Sequence, residues 1–274
     1  MGLTVHYNIR SSSRSTNKVL AYVEQMRQLA LDLPFEEVGD LVVKNNPDHK
    51  NETDDSLRWL YIQSGQYVDD PLDKHCSWGV EPIKLIAFNI YVGPGSEPAN
   101  IGLCLFPKEI VKEGRTIKTK LGGWRWGSFC KTQYASNPSC GGIPNFLRCH
   151  ISLITLLDRI AELPTISVKV ADEGKYGPSN YTDDYTVPDP HYYVHEGKYN
   201  PKALVEEIIQ WNETPAGFAG MLKDALGNNI VLESPITSFQ DFEALEFKGS
   251  RNVGLQPFLE SMKTLANKMA TPDS

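Results

Sequence analysis

Long apolar runs are scarce in this sequence. The longest, "IKLIAFNIYVG" over residues 83–93, falls short of the ~20 residues that a membrane-crossing helix needs. The opening "MGLTVHYNIRSSSRSTNK" lacks the apolar segment of a secretory signal, and His6 stands where myristoylation requires Ser or Thr. Cysteine is sparse and odd in number: five in 274 residues, with no CxxC pair. That argues against a secreted disulfide framework and leads us to expect a reducing, cytoplasmic setting. Cations are outnumbered, 27 Lys and Arg against 34 Asp and Glu, for a net charge of −7. A phosphate-backbone binder needs the opposite balance, which ranks nucleic acid below a small-molecule or peptide ligand and leaves room only for a local basic patch. Also absent are GxxxxGK[ST], GxGxxG after a strand, HExxH, GxSxG and an EF-hand loop. Familiar nucleotide, dinucleotide, zinc-protease and serine-hydrolase machinery is therefore not indicated, and no cofactor is expected. There is no internal repeat or low-complexity tract.

What is present is an ordinary globular composition, 41% hydrophobic and 22% charged. "LTVHYNIR" alternates like a strand with one buried face: Leu3, Val5, Tyr7 and Ile9 against Thr4, His6, Asn8 and Arg10. Val19, Tyr22/Val23, Met26, Leu29/Ala30 and Leu33 then fall on one helical stripe that Pro34 ends. "EEVGDLVVK" and "LRWLYIQ" read as strands, "IKLIAFNIYV" as a central strand, and "IGLCLFP" as its hairpin partner across the "GPGSEPAN" turn. "IKTKLGGWRW" suits an edge strand. Asn145, just after Pro144, would cap the helix "FLRCHISLITLLDRIAEL", and "TISVKV" follows as a strand. Asn200-Pro201 and Thr214-Pro215 each pair a cap with Pro at a first helical position, predicting two successive helices; a short strand and two more helices should follow. This order predicts an α+β fold: a mixed, mainly antiparallel sheet with helices packed on it and a helical C-terminal part. A ferredoxin-like βαβ unit would suit its beginning. We divide the chain into a core over 1–176, a Pro/Asp/Tyr-rich loop over 177–200 and a helical region over 201–274, packed as one unit.

The segment "WRWGSFCKTQYASNPSCGGIPNFLRCH", residues 124–150, concentrates chemistry. A Cys nucleophile needs a base and a positive field to become a thiolate. Cys130 would be that nucleophile, His150 its base and Asp172 (or Glu173) the group orienting the base. Gln133 and the amides around Gly141 and Gly142 would serve as oxyanion donors. Trp124, Arg125, Trp126, Lys131 and Arg148 would bind substrate, and the function expected is a cysteine-dependent hydrolase or transferase. The rival is a non-enzymatic binding protein using the aromatic-basic loop over residues 122–150, with its thiols packed as core. A third reading is a zinc-stabilised module on Cys130, Cys140, Cys149 and His150, although adjacent ligands on one helix point apart. Two further sets stand out. Asp183, Asp184, Asp189, His191, His195 and Glu196 would suit a divalent cation or, more simply, a solvated loop. His6, Asn8 and Arg10 would line a cleft or bind an anion, or form the wet face of a half-buried sheet.

Overall fold

A computed structural model describes residues 3–73, 75–177 and 199–226. The acidic, His-containing loop cluster and the strand and helices expected after Gly227 lie outside these residues.

Strand β1 (Thr4–Ser11) keeps the alternation of its sequence: Val5, Tyr7 and Ile9 are fully buried, and His6, Asn8 and Arg10 occupy the opposite face. Ser15 caps helix α1 (Thr16–Leu31), its side chain accepting from Lys18 N, and Val19, Val23, Met26 and Ala30 are its buried stripe. "EEVGDLVVK" is two short strands rather than one, β2 (Glu37–Val38) and β3 (Val42–Asn45). Between them Gly39 N donates to Asn89 O at 2.9 Å, and a Cβ on Gly39 would collide with the Asn89 amide.

"LRWLYIQ" is not a strand but most of helix α2 (Asp55–Ser64). Asp54 accepts from both Ser56 N and Leu57 N and so nucleates the first turn. Leu57, Leu60, Tyr61 and Ser64 turn inward at helical spacing, while Trp59 and Ile62 stay exposed. The apolar character that resembles a two-sided strand is thus one buried stripe plus two surface residues.

β4 (Gln66–Asp69) and β5 (Ser77–Val80) form a small hairpin. β6 (Lys84–Tyr91) and β7 (Ala99–Leu105) are the central hairpin, in register from Lys84↔Leu105 to Ile90↔Ala99. β8 (Glu109–Lys112) and β9 (Arg115–Lys118) make a second small hairpin, tied to the first where Arg115 donates twice to the Asp70 carboxylate. The expected edge strand "IKTKLGGWRW" therefore contributes to two places. Its first half is β9, and its last residues open β10 (Trp124–Lys131), an interior strand. Helix α3 (Gly142–Ala161), strand β11 (Ile166–Asp172) and helix α4 (Pro201–Leu226) complete the described elements.

The sheet order is β11-β1-β10-β7-β6-β2, with β3 also paired to β6, and every pairing is antiparallel. The α+β fold read from the sequence is the fold of the protein. The opening is not a ferredoxin-like unit, because β1 and β2 lie far apart in the sheet. β6 and β7 are buried on both faces: α1 and α3 touch each other on one side, and α2 closes the other. Helix α3 starts at Gly142, before Pro144, because Gly141 takes the left-handed conformation at its cap (φ 105°). Asn145 is not the cap; its amide instead donates to Pro94 O and Ala135 O. Phe146, Leu153, Leu156, Leu157 and Ile160 are buried from α3, each worth roughly 1.5–3 kcal/mol. α4 runs unbroken past Pro215, whose missing N–H removes one backbone bond without ending the helix, so the two helices expected here are one.

Candidate functional site

His150, on α3, and Asp172, at the end of β11, meet in the interior. The Asp172 carboxylate can only accept, so His150 Nε2 carries a proton and donates to Oδ1 at 2.9 Å. The other ring nitrogen, Nδ1, lies 2.8 Å from Thr132 Oγ1. Asp172 also takes the backbone N–H groups of Gly174 (2.7 Å), Tyr176 (2.9 Å) and Gly177 (3.0 Å). Burial pushes this carboxyl's pKa up. The charge and hydrogen bond of His150 and the loop amides outweigh it and bring the value down to about 2. Hydroxyl, imidazole and carboxylate are thus chained in the order used by hydroxyl nucleophiles. All three are sealed, with exposures of 0%, 0% and 1% for Thr132, His150 and Asp172. A Cβ on Gly174 would sit 2.8 Å from the imidazole and 2.6 Å from Leu204 Cδ1, so the 172–177 loop and α4 close over the ring. In this geometry the chain of bonds acts as a rivet joining α3, β11 and the start of the 133–136 turn.

Cys130 is not hydrogen-bonded to His150, both of whose nitrogens are occupied. The thiol donates to Glu97 O at 3.1 Å inside the core. Burial, and then the nearby Glu97 charge, push its pKa well above the ordinary range, the reverse of what a nucleophilic thiolate needs. Gln133 is buried and presents its carbonyl, not its amide, to Leu3 N at 3.2 Å, so it is not placed as an oxyanion donor. Trp124 and Trp126 are core residues; Trp126 Nε1 joins Tyr7 OH in donating to Asn100 O, each at 2.8 Å. The reason is register: the odd-even alternation of β10 sends both indoles inward and Arg125 and Phe129 outward. Arg148 clamps structure rather than substrate, its guanidinium donating to Pro34 O, Val92 O and Asn145 Oδ1. Lys131 is partly exposed, its Nζ 4.0 Å from Glu97 Oε1. The four proposed zinc ligands do not converge: Cys149 Sγ donates weakly to Val92 O, His150 is engaged as above, and no metal-holding group of three or more His, Cys, Asp or Glu occurs among the described residues.

The opposite face of β1 and β10 holds a cavity of about 310 Å³ lined by His6, Tyr7, Asn8, Gln66, Gly127, Ser128 and Phe129. Cross-strand pairing sets His6 beside Phe129 and Asn8 beside Gly127. The floor is bare because Gly127 has no side chain; a Cβ there would come within 2.7 Å of Asn8 Oδ1 and 3.4 Å of Gln66 Nε2. Phe129 is 38% exposed, and its ring centre lies 6.0 Å from that of His6. Glu173 Oε1 is 3.5 Å from His6 Nε2, and its other oxygen accepts from Thr4 N at 2.9 Å. The groove therefore offers an imidazole, two amides and an accessible aromatic ring. Of these, the sequence pointed to His6 and Asn8 as a row. Gln66 carried no local signal, whereas a glycine inside the β-rich run "WRWGSFCK" does mark a close approach.

The fold and groove define an α+β protein whose described residues form a seven-stranded antiparallel sheet and two small hairpins, with helices covering part of both faces of the main sheet and a polar cleft on the remaining open face. No protein-family model, curated protein or solved structure matches the chain.

Proposed function

We propose that this protein binds a small polar ligand carrying a flat ring, in the groove over β1 and β10. One observation carries the reading: side chains from three separate elements, β1, β4 and β10, converge over a glycine floor beside a ring left accessible to solvent. A flat ligand ring would stack on Phe129, and Asn8, Gln66 and His6 would read its hydrogen-bonding edge, the usual division between apolar contact and a few orienting polar groups. A cysteine-dependent reaction finds no support in the geometry, because the thiol of Cys130 is buried and without a base.

Ligand-observed NMR against a library of heteroaromatic fragments tests the reading. Hits should weaken about tenfold in Phe129→Ala, the loss of roughly one stacking contact. They should vanish in Gly127→Leu, which fills the floor, and persist in Cys140→Ser. Hits that survive both groove variants unchanged would sink it.

A further inference from the structure

Helix α2 ends at the groove and hands it a fixed amide. Gly65 closes the helix, its N–H donating to Ile62 O, and Gln66 follows as the first residue of β4. The helix end is pinned to the groove wall, because Ser128 Oγ on β10 donates to Gln63 Oε1 at 2.8 Å. Three residues further on, the half-buried Gln66 side chain stands over Gly127, where a Cβ would lie 3.4 Å from its Nε2. Nε2 donates to Gly65 O at 3.0 Å; a carbonyl only accepts, so this bond fixes which end of the amide is nitrogen. Among the described residues it is the one bond of the Gln66 carboxamide, which leaves a second N–H and both lone pairs of Oε1 uncommitted. Other polar side chains around the groove are already engaged. His6 faces Glu173 at 3.5 Å, Ser128 Oγ is held by Gln63, and Tyr7 OH donates to Asn100 O.

We infer that Gln66 is the specificity-determining residue of the groove and that the ligand is an aromatic carboxamide, read edge to edge. This rests on the groove being the ligand site. A Gln side chain offers an acceptor and a donor side by side, and the edge that satisfies both is an N–H beside a C=O. An edge of two N–H groups or of two oxygens leaves one of the pair unmatched, which costs affinity in a half-buried site. The spacing suits an amide standing outside the ring. Gly127 and Phe129 share one face of β10, about 7 Å apart along the strand. That is the reach of a single ring stacked on Phe129, one exocyclic group and one hydrogen bond. The glycine floor gives the exocyclic group its room beside the Gln66 amide.

NMR titrations of the full chain with benzamide, benzamidine and benzoate decide it, since the three share a ring and differ only in the edge. Benzamide should bind about tenfold more tightly than either of the others. Gln66→Glu turns the donor–acceptor edge into two acceptors, so the benzamidine-to-benzamide affinity ratio should rise about tenfold or more. Gln66→Leu should remove the advantage of benzamide. Comparing ratios within each variant cancels the pull of charges elsewhere in the groove, and a far-UV circular dichroism melt establishes that each variant is folded. Benzamide binding no more tightly than the other two, or a ratio unchanged in Gln66→Glu, overturns the assignment to Gln66. The groove reading still stands in that case if Phe129→Ala weakens all three. Binding of none of the three overturns the inference, and the fragment screen then judges the groove independently.

Discussion

Replacing Asp172 by Asn should cost about 4 kcal/mol of stability at pH 7. Among the described residues four donors aim at the carboxylate: His150 Nε2 and the amides of Gly174, Tyr176 and Gly177. An Asn side chain of the same shape keeps one acceptor oxygen and turns the other into a donor. Two of the four N–H groups then face an NH₂ in a sealed interior, at about 1–3 kcal/mol each, and a broken buried pair costs a similar total. The pH dependence gives a second reading. A carboxyl near pH 2 in the folded chain against 3.8 unfolded contributes about 2–3 kcal/mol. Since the folded pKa is the lower one, that contribution is complete above pH 4 and is lost as pH falls through 2. Urea titration followed by tryptophan fluorescence at several pH values between 7 and 2 measures both. The gap between wild type and Asp172→Asn should be widest at pH 7 and shrink by about half toward pH 2. A variant within 1 kcal/mol of wild type at pH 7, or a gap independent of pH, refutes the rivet.

Two further outcomes follow from burial. In the native protein, iodoacetamide should label Cys76 and Cys140 well before Cys104, Cys130 and Cys149, and all five should react in urea, as read by mass spectrometry of tryptic peptides; early labelling of Cys130 would contradict its placement. Gly102→Ala should destabilise by about 3 kcal/mol or more, since the new methyl would lie 2.3 Å from Ala87 Cβ and 2.6 Å from Ile86 O in the central hairpin; a thermal melt that does not move would contradict the β6–β7 register.

Local periodicity carried much of the fold into the sequence. β1, α1 and α3 are legible from spacing, because their buried residues repeat at two or at three to four, and the β6–β7 hairpin from two nearly unbroken apolar runs about a Gly/Pro turn. α2 was not legible: "LRWLYIQ" is apolar at positions that are exposed, and only the cap at Asp54 distinguishes helix from strand. β10 hid its place because nothing local announces that a strand following a hairpin inserts beside the N-terminal strand. The candidate site divides along the same line. His150 and Asp172 are in contact, but their third partner is Thr132, a residue without distinctive neighbours, and Cys130 points to the core by the parity of its strand. The groove needs β1, β4 and β10 together, a combination that only tertiary structure supplies.

The N-terminal strand sits between two strands made much later. Leu3 N is bonded to a side chain 130 residues on, and Thr4 N to one 169 residues on. During synthesis β1 therefore emerges with both edges unsatisfied and Leu3, Val5, Tyr7 and Ile9 uncovered. At about 5–20 residues per second, its first partner follows only after roughly ten seconds. Over that interval both edges of β1 stay open, and the sheet cannot close around it until β10 and β11 have followed.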